Sequence, residues 1–561
     1  MNMTGGQALA QQLVREGITD IFGIPGVQLD WAVEALRQQS DRIRYWVPRH
    51  EQATAYMADG YARTTGRIGV SMVVPGPGLL NAMAGLSTAY ACNSRVLAIT
   101  GNIHSSGVGR GYGLLHEIPN QTQVLASVTK WQGSAALPQA IPGLVREAVK
   151  QLRSGRPRPV GIEISHDVLS ASADIVLIDP PANEDDAGRV RPDPVAIAQA
   201  AGLLERARFP VIYAGGGVLA AGASEALRRF AEKLQAPVVL DDNAQGALSS
   251  RHPLALNTLG GRAVFPHADV VLVVGSRFLD IMTPAPSWPG AGIRYIYLNA
   301  DAADWSAPRA PGLGIGADAR LGLEALCDEL SGVRRAPPAD LDIVRAWAQR
   351  QADEIEPQSA YTRALRSAIP DDGILVNELT QVGYFARLMY PVYQPGTFIT
   401  PGYQGTLGYG FATALGAAAG NPGRAVVSIN GDGGFGWNMQ ELATARKYGV
   451  GLVTVVFNDG HFGNVRTIQK QTFGENIAVE LCNPHFDRLA SAFDLDFERV
   501  TNPQQLEGAV RNAIAARAPV VIEAQVGEMP SPWHLFRLKA PLKLAGREAP
   551  PNPLGEPAKA A

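Results

Sequence analysis

Two aspartates in one short stretch offer the most definite chemistry in this chain. In NGDGGFGWNMQELATARKYGVGLVTVVFNDGHFG, residues 430–463, Asp432 stands inside a glycine turn that follows an apolar run. Asp459 closes the next apolar run, directly after Asn458. If the two runs are neighbouring strands of a right-handed βαβ unit, both carboxylates open on one edge of the sheet. A helix N-terminus, expected at 434–438, would lie beside them. Hard oxygen ligands next to a helix dipole suit Mg2+ and a diphosphate. Gly431, Gly433 and Gly434 would let backbone N–H groups approach phosphate oxygens, because no Cβ intervenes. GDG by itself reads as a turn; GDG followed by Asn-Asp at this spacing is far more specific. A second glycine motif lies mid-chain. PVIYAGGGVLAAGA at 210–223 sets Gly215-x-Gly217-x-x-Ala220 after an apolar run, and Asp241–Asp242 end the next one. That is the outline of a dinucleotide fold.

Parallel strands covered on both faces are needed to hold such turns, and the sequence supplies them. IGVSMVV (68–74), VLAIT (96–100), VGIEI (160–164), VIYAGGG (211–217), DVVLVVG (269–275), RAVVSIN (424–430) and LVTVVF (452–457) are short β-branched runs followed by helical patterns. The predicted class is α/β. At roughly 150 residues per domain, 561 residues accommodate three or four domains. Linker-like stretches at 177–194 and 333–341 divide the chain into segments of about 180, 145 and 200 residues. The end of the chain, GREAPPNPLGEPAKAA at 546–561, reads as a frayed tail. VVPGPGLLNAMAGLSTAY (73–90) and SINGDGGFGWNMQELATARKY (428–448) share a strand, glycine turn, helix order. Either all βα units look alike, or a domain is duplicated and a site lies where the copies face each other.

Composition narrows the function further. A formal charge of −3 gives no basic excess to hold a nucleic acid. Three scattered cysteines, Cys92, Cys327 and Cys482, form neither a disulfide framework nor a metal motif, which suits a reducing cytoplasm. The first residues lack the basic and apolar regions of a signal peptide. No apolar run reaches the ~18 residues that a membrane helix needs.

The GDG…ND run resembles the thiamine-diphosphate motif, and further stretches resemble the acetolactate synthase-like family of thiamine-diphosphate enzymes. These are RHEQATAYMADGYARTTGRIGV (49–70), PGPGLLNA (75–82), ITGNIHSS (99–106), VTKW (128–131), GRPRPVGIEISHDV (155–168), GSRF (275–278), GTLGYGFATALGA (405–417) and QELATA (440–445). The likeness spans about residues 5–535. It implies three doubly wound parallel-sheet domains: a pyrimidine-binding domain at 1–180, a central Rossmann-like domain at 190–335 and a diphosphate- and Mg-binding domain at 355–540, with a tail at 541–561.

Roles follow from the resemblance position by position. Glu51 takes the place of the glutamate that hydrogen-bonds N1′ of the aminopyrimidine and helps the cofactor lose its C2 proton, a role that needs small and apolar surroundings. Pro77 and Asn81 match residues lining the pyrimidine, Leu407 the large apolar residue that bends the cofactor, and Gly405 a backbone contact to the aminopyrimidine. Thr380 and Gln381 fall where the family contacts the diphosphate. Asp432, Asp459 and the His461 backbone carbonyl match the Mg2+ ligands, with Asn458 as the weaker alternative to Asp459. Many relatives carry Asn at the Asp459 position, so a second carboxylate predicts strong dependence on the divalent ion.

Other positions depart from acetolactate synthases. His116–Glu117 replaces a Phe–Gln pair lining the active site, which makes both candidate catalytic residues. His166 replaces a lysine, Asn464 a methionine and Ile468 a tryptophan, while His104 and His461 are further histidines near the presumed cleft. Arg277 matches a residue that approaches FAD, but GSRFLDIM departs from the usual GxRFDD, so FAD stays open. The resemblance implies a carboligase that decarboxylates a 2-oxo acid and joins the product to a second carbonyl compound, in a homodimer or homotetramer with sites shared between chains. The alternatives are a lyase or simple 2-oxo acid decarboxylase and, further off, a nucleotide-linked oxidoreductase.

Overall fold

The β-branched runs become strands buried on both faces, and the fold is α/β throughout. It is seen in a computed structural model that describes residues 1–181, 188–278, 292–305, 311–338, 340–536 and 550–555. Among these residues lie three six-stranded sheets in which every neighbouring pair is parallel.

The first sheet runs Arg44–Trp46, Asp20–Gly23, Gly69–Val73, Val96–Asn102, Val160–Ser165, Trp131–Ala135. The third runs Phe398–Ile399, Ile374–Asn377, Val426–Gly431, Leu452–Asn458, Val520–Gln525, Asp496–Val500. Ranked by position in the chain, both have the order 2-1-3-4-6-5. The middle sheet has the order 3-2-1-4-5-6, from Ala255–Leu256 through Pro210–Ala214 to Leu313–Gly316. That is the Rossmann order, with its switch point between Pro210–Ala214 and Val270–Val274.

First and third units meet along two helices, Glu51–Thr65 and Tyr409–Gly420, each connecting the second and third strands of its own sheet. The crossing is reciprocal. A Cβ on Gly60 would overlap the Thr413 carbonyl oxygen, and one on Gly416 would overlap that of Met57. Met57 is three residues before Gly60, and Thr413 is three before Gly416, so the pair has an internal two-fold relation. Counting back six residues from Met57 and from Thr413 makes Glu51 and Leu407 equivalent positions. A single apolar cluster, including Tyr56, Tyr61, Tyr409, Phe411 and Phe435, spans the contact.

Three details differ from the sequence reading. Asn2–Thr4 and Ser172–Asp174 form an unexpected antiparallel pair that closes the first unit on itself. The helix expected to begin at 434–438 instead begins at Asp432, stops at Phe435 and resumes at Leu442. The break is stabilised at long range, because the buried Asn438 amide donates to the Gly408 carbonyl. The third difference concerns the tail. Residues 541–549 and 556–561 lie outside the described residues, but 550–555 are not frayed: Asn552 donates to the Ala263 carbonyl at 3.1 Å and Leu554 packs on the central core. The linker stretches contain no strand or helix before Pro194 and Leu341 among their described residues; 182–187 and 339 lie outside them. No helix among the described residues is long and apolar enough to cross a membrane.

Candidate functional site

Adjacent strands Val426–Gly431 and Leu452–Asn458 deliver the two aspartates to one crevice, as the βα spacing predicts. Asp432 is 3% exposed. Its Oδ2 accepts from the Gly460 N–H at 2.9 Å and the Asn483 amide at 2.6 Å. Burial pushes its pKa up to about 6, and the neighbouring Asp459 charge adds to the shift. Asp459 is likewise raised by burial, opposed first by Arg466. Arg466 pairs with Asp459 at 2.9 Å, both side chains under 10% exposed, and Gln381 donates to the same oxygen at 2.9 Å.

Two carboxylates at one edge, with the Asp459 charge raising the Asp432 pKa, fit a divalent cation, which would relieve the repulsion. Among the described residues no group of three His, Cys, Asp or Glu side chains gathers for a metal. Asp432, Asp459 and a backbone carbonyl beside them are the groups at this edge that could hold a metal ion. The bridge between His461 and Glu480 is made by Phe462 N–H to Val479 and Leu481 N–H to Gly460, which leaves the His461 carbonyl out of the pairing. The His461 ring turns back to the Asp459 carbonyl at 2.7 Å. The Asn458 side chain is bonded to Glu523, Gly460 and Asn483.

The glycines around Asp432 prove to have different reasons. A Cβ on Gly434 would overlap a carboxyl oxygen of Glu378, and one on Gly433 would press the Phe462 ring. Only Gly431, with Thr380 Cβ at 3.6 Å, leaves open space for a ligand oxygen. Glu378 is buried and accepts the N–H groups of Gly408 at 3.1 Å and Gly410 at 3.0 Å. Burial pushes its pKa up to about 7. Those bonds hold the turn at Gly405 and Gly408, φ +56 and +82, which presents Leu407. Thr380 stands at the N-cap position of the helix Gln381–Met389 at the same edge, its hydroxyl making no cap bond. The Gln381 amide is fully engaged with Asp459, Gly527 and Met529, so it supports Asp459 instead of reaching toward a ligand.

A second cluster forms on the first sheet. Glu51 opens its helix half-buried, and its Oε2 accepts from the Asn81 amide at 3.0 Å. Asn81 stands on the helix Pro77–Cys92, which Pro77 starts behind Gly76 at φ +57. The Gly76 N–H is held by Gln121 at 2.8 Å. His116, itself at φ +68, packs its backbone against Gly76 and its ring on Gln28 at 3.1 Å. Glu117 turns away from this cluster: its carboxylate accepts the N–H groups of Gly111 at 3.1 Å and Leu114 at 2.8 Å, holding its own loop. His104 and His166 meet edge to face with ring centroids 5.5 Å apart, beside Asp167. Asn464 is tied to Tyr384 and Trp533, and Ile468 is half-buried on the helix Gly463–Phe473.

The central unit bounds a cavity of about 630 Å³ together with residues of the first and third. Gly216, Gly217 and Gly275 line it at the switch point, with Asp241, Asp242 and Arg277. Gly217 and Gly275 touch backbone to backbone, which only glycine allows. Asp242 is paired with Arg387; Asp241 is half-buried, and desolvation pushes its pKa up to about 7, with the Asp242 charge adding to the shift. Arg277 lies over the Tyr403 ring at 5.1 Å. Of GSRFLDIM, residues 279–282 lie outside the described residues.

Comparison with known proteins follows these three units. Residues 3–124 match the thiamine pyrophosphate enzyme N-terminal TPP binding domain, 197–326 the central domain, and 379–524 the C-terminal TPP binding domain. A probable 2-ketoarginine decarboxylase of Pseudomonas aeruginosa is 33% identical over 93% of this chain and 94% of its own length. A probable acetolactate synthase large subunit of Methanocaldococcus jannaschii is 31% identical over 93% and 91%. The acetolactate synthase isozyme 3 large subunit of Escherichia coli is 29% identical over 91% and 92%. The chain belongs to the thiamine pyrophosphate enzymes, in the group that holds acetolactate synthases and 2-oxo acid decarboxylases.

Proposed function

We propose that this enzyme decarboxylates a 2-oxo acid and joins the product to a second carbonyl compound, with thiamine diphosphate and Mg2+ as cofactors. The observation that carries this reading is a correspondence of place. Glu51 with Asn81, and Asp432 with Asp459, stand at the carboxyl edges of two sheets wound in the same order. When bound, thiamine diphosphate supplies the electron sink for loss of CO2. Glu51 holds a proton at N1′, its second oxygen kept in place by Asn81. Pro77 and the Gly405–Leu407 turn border the ring. Asp432, Asp459 and the His461 carbonyl hold the metal, and Thr380 and Gly431 face the diphosphate.

Glu51 of one chain is proposed to serve the Asp432 crevice of a second, making the smallest active unit a dimer. Leu80 and Leu407, 48% and 42% exposed beside the two clusters, support this, because a second chain would cover them. Mixing Glu51→Ala chains with Asp432→Ala chains tests it. Random exchange makes about half the dimers mixed, each with one intact site, so roughly a quarter of wild-type activity should return. No return after verified subunit exchange overturns the shared site.

Simple decarboxylation is the second reading. It is favoured by His116, a proton-carrying ring that Gln28 holds at the pyrimidine edge. NMR of products from a panel of 2-oxo acids with and without aldehydes separates the two: a hydroxyketone or acetohydroxy acid supports ligation, and an aldehyde alone supports decarboxylation. For the central cavity we propose a nucleotide, with its ribose toward Asp241 and its phosphates at the Gly216–Gly217 edge. Titration with FAD and with ADP, followed by flavin fluorescence and melting temperature, shows which one stabilises the enzyme.

A further inference from the structure

Segment 47–52, which carries Glu51, is fastened to the third unit of its own chain. The Val47 N–H donates to the Tyr448 hydroxyl at 2.8 Å, and the Gln52 amide to Asn438 at 2.9 Å and the Trp437 carbonyl at 3.0 Å. Between these, the Arg49 and His50 N–H groups both donate to the Glu441 carboxylate, at 2.9 Å and 3.0 Å. Glu441 is fully buried, and the Thr444 hydroxyl supplies a further bond. A carboxylate in that setting is tolerated only while its hydrogen bonds are made. The two N–H groups it engages belong to the residues just before the helix Glu51–Thr65. They set the angle at which the chain enters its first turn. In sequence, however, Glu441 stands nine residues after Asp432, on the diphosphate side.

We propose that Glu441 is a positioning residue for Glu51: by holding the Arg49 and His50 N–H groups it fixes the backbone from which the Glu51 carboxyl reaches N1′. This rests on the reading of Glu51 given above. A displacement of about 1 Å at a reacting group can cost roughly 10²-fold in rate, which is the loss expected when the clamp is removed.

The full-length enzyme with thiamine diphosphate and Mg2+ provides the test, through two measurements: hydrogen–deuterium exchange at cofactor C2, read by NMR after acid quench, and cofactor affinity. Glu441→Ala should slow C2 exchange about 10²-fold while cofactor affinity stays near wild type. Glu441→Gln, which keeps the shape but turns an amide N–H2 toward one backbone donor, should show a smaller loss of the same kind and carries the test if the alanine variant does not fold. Normal exchange with weakened cofactor binding would mean that Glu441 serves the neighbouring Asp432 turn, and would overturn the assignment. Glu51→Gln is measured alongside. If it too leaves exchange fast, the role of Glu51 fails; if it slows exchange and the Glu441 variants do not, only the role of Glu441 fails.

Discussion

The first and third sheets are wound identically, yet their third strands end in opposite chemistry. Gly69–Val73 runs into Pro75-Gly76-Pro77 and a 16-residue helix with no acidic group in its first turn. Val426–Gly431 runs into Asp432 and a helix of 4 residues. The approaches to those strands differ in the same way: of two equivalent positions at the start of the preceding helices, one holds the Glu51 carboxyl in the first turn and the other holds the apolar Leu407 just ahead of the Gly408 cap. Winding therefore decides where an edge lies, and one or two residues at the turn decide what it can hold. A proline-led turn presents a neutral wall suited to a ring, and a buried aspartate pair presents charge suited to a metal and phosphate.

The largest expected effect comes from erasing the charged turn. Asp432→Ala should abolish Mg2+-dependent retention of thiamine diphosphate, measured by cofactor content after gel filtration; a variant that still copurifies with cofactor would remove Asp432 from the metal site. Next is the other unit's carboxyl. Glu51→Gln should keep fold and cofactor affinity while turnover falls by about 10²–10⁴, the usual worth of a positioned proton-transfer group. Normal turnover in this variant would leave the first unit without a chemical role.

Smaller effects probe what the units share. Gly60→Ala and Gly416→Ala each force a Cβ into the other helix's backbone, so each should cost about 1–3 kcal/mol of stability in denaturant titration. Clearly unequal losses would break the two-fold relation between the helices. The last is a pH effect confined to the third unit. The folded pKa of Glu378 stands near 7 against an ordinary 4.5, so the folded chain keeps a proton that the unfolded chain loses. Its contribution is therefore present below about pH 4.5 and is lost as pH rises to about 7. The melting temperature of wild type relative to Glu378→Gln should fall between pH 5 and pH 8. A constant difference would mean that Glu378 titrates normally.

What could be read in the sequence follows from what is local. Buried strands such as LVTVVF and the Rossmann outline at 210–223 declare themselves, because a strand buried on both faces needs an unbroken apolar run. Bringing Asp432 and Asp459 to one edge needed only the βαβ rule. The break in the helix after GDG escapes a local reading because the Asn438 amide bonds the Gly408 carbonyl, 30 residues away. Arg466, Asn483, Glu378 and Glu441 were not picked out as site residues, since each acts through a partner that no spacing rule connects to it. Arg466 changes the reading of Asp459 most: the extra carboxylate brings its own cation. Glu441 lay within QELATA, where it counted only as likeness, although its partners are 391 and 392 residues distant.

The reciprocal glycine crossing also limits how this chain can drift. At most core contacts, a larger side chain can be answered by a smaller one across the interface, so paired changes open neutral routes through sequence space. Here the atoms that a Cβ would strike are main-chain carbonyls of Thr413 and Met57, which every amino acid carries. No second-site exchange on the partner helix can make room. Positions 60 and 416 should therefore come back as glycine from any library selected for folding, however freely their neighbours vary.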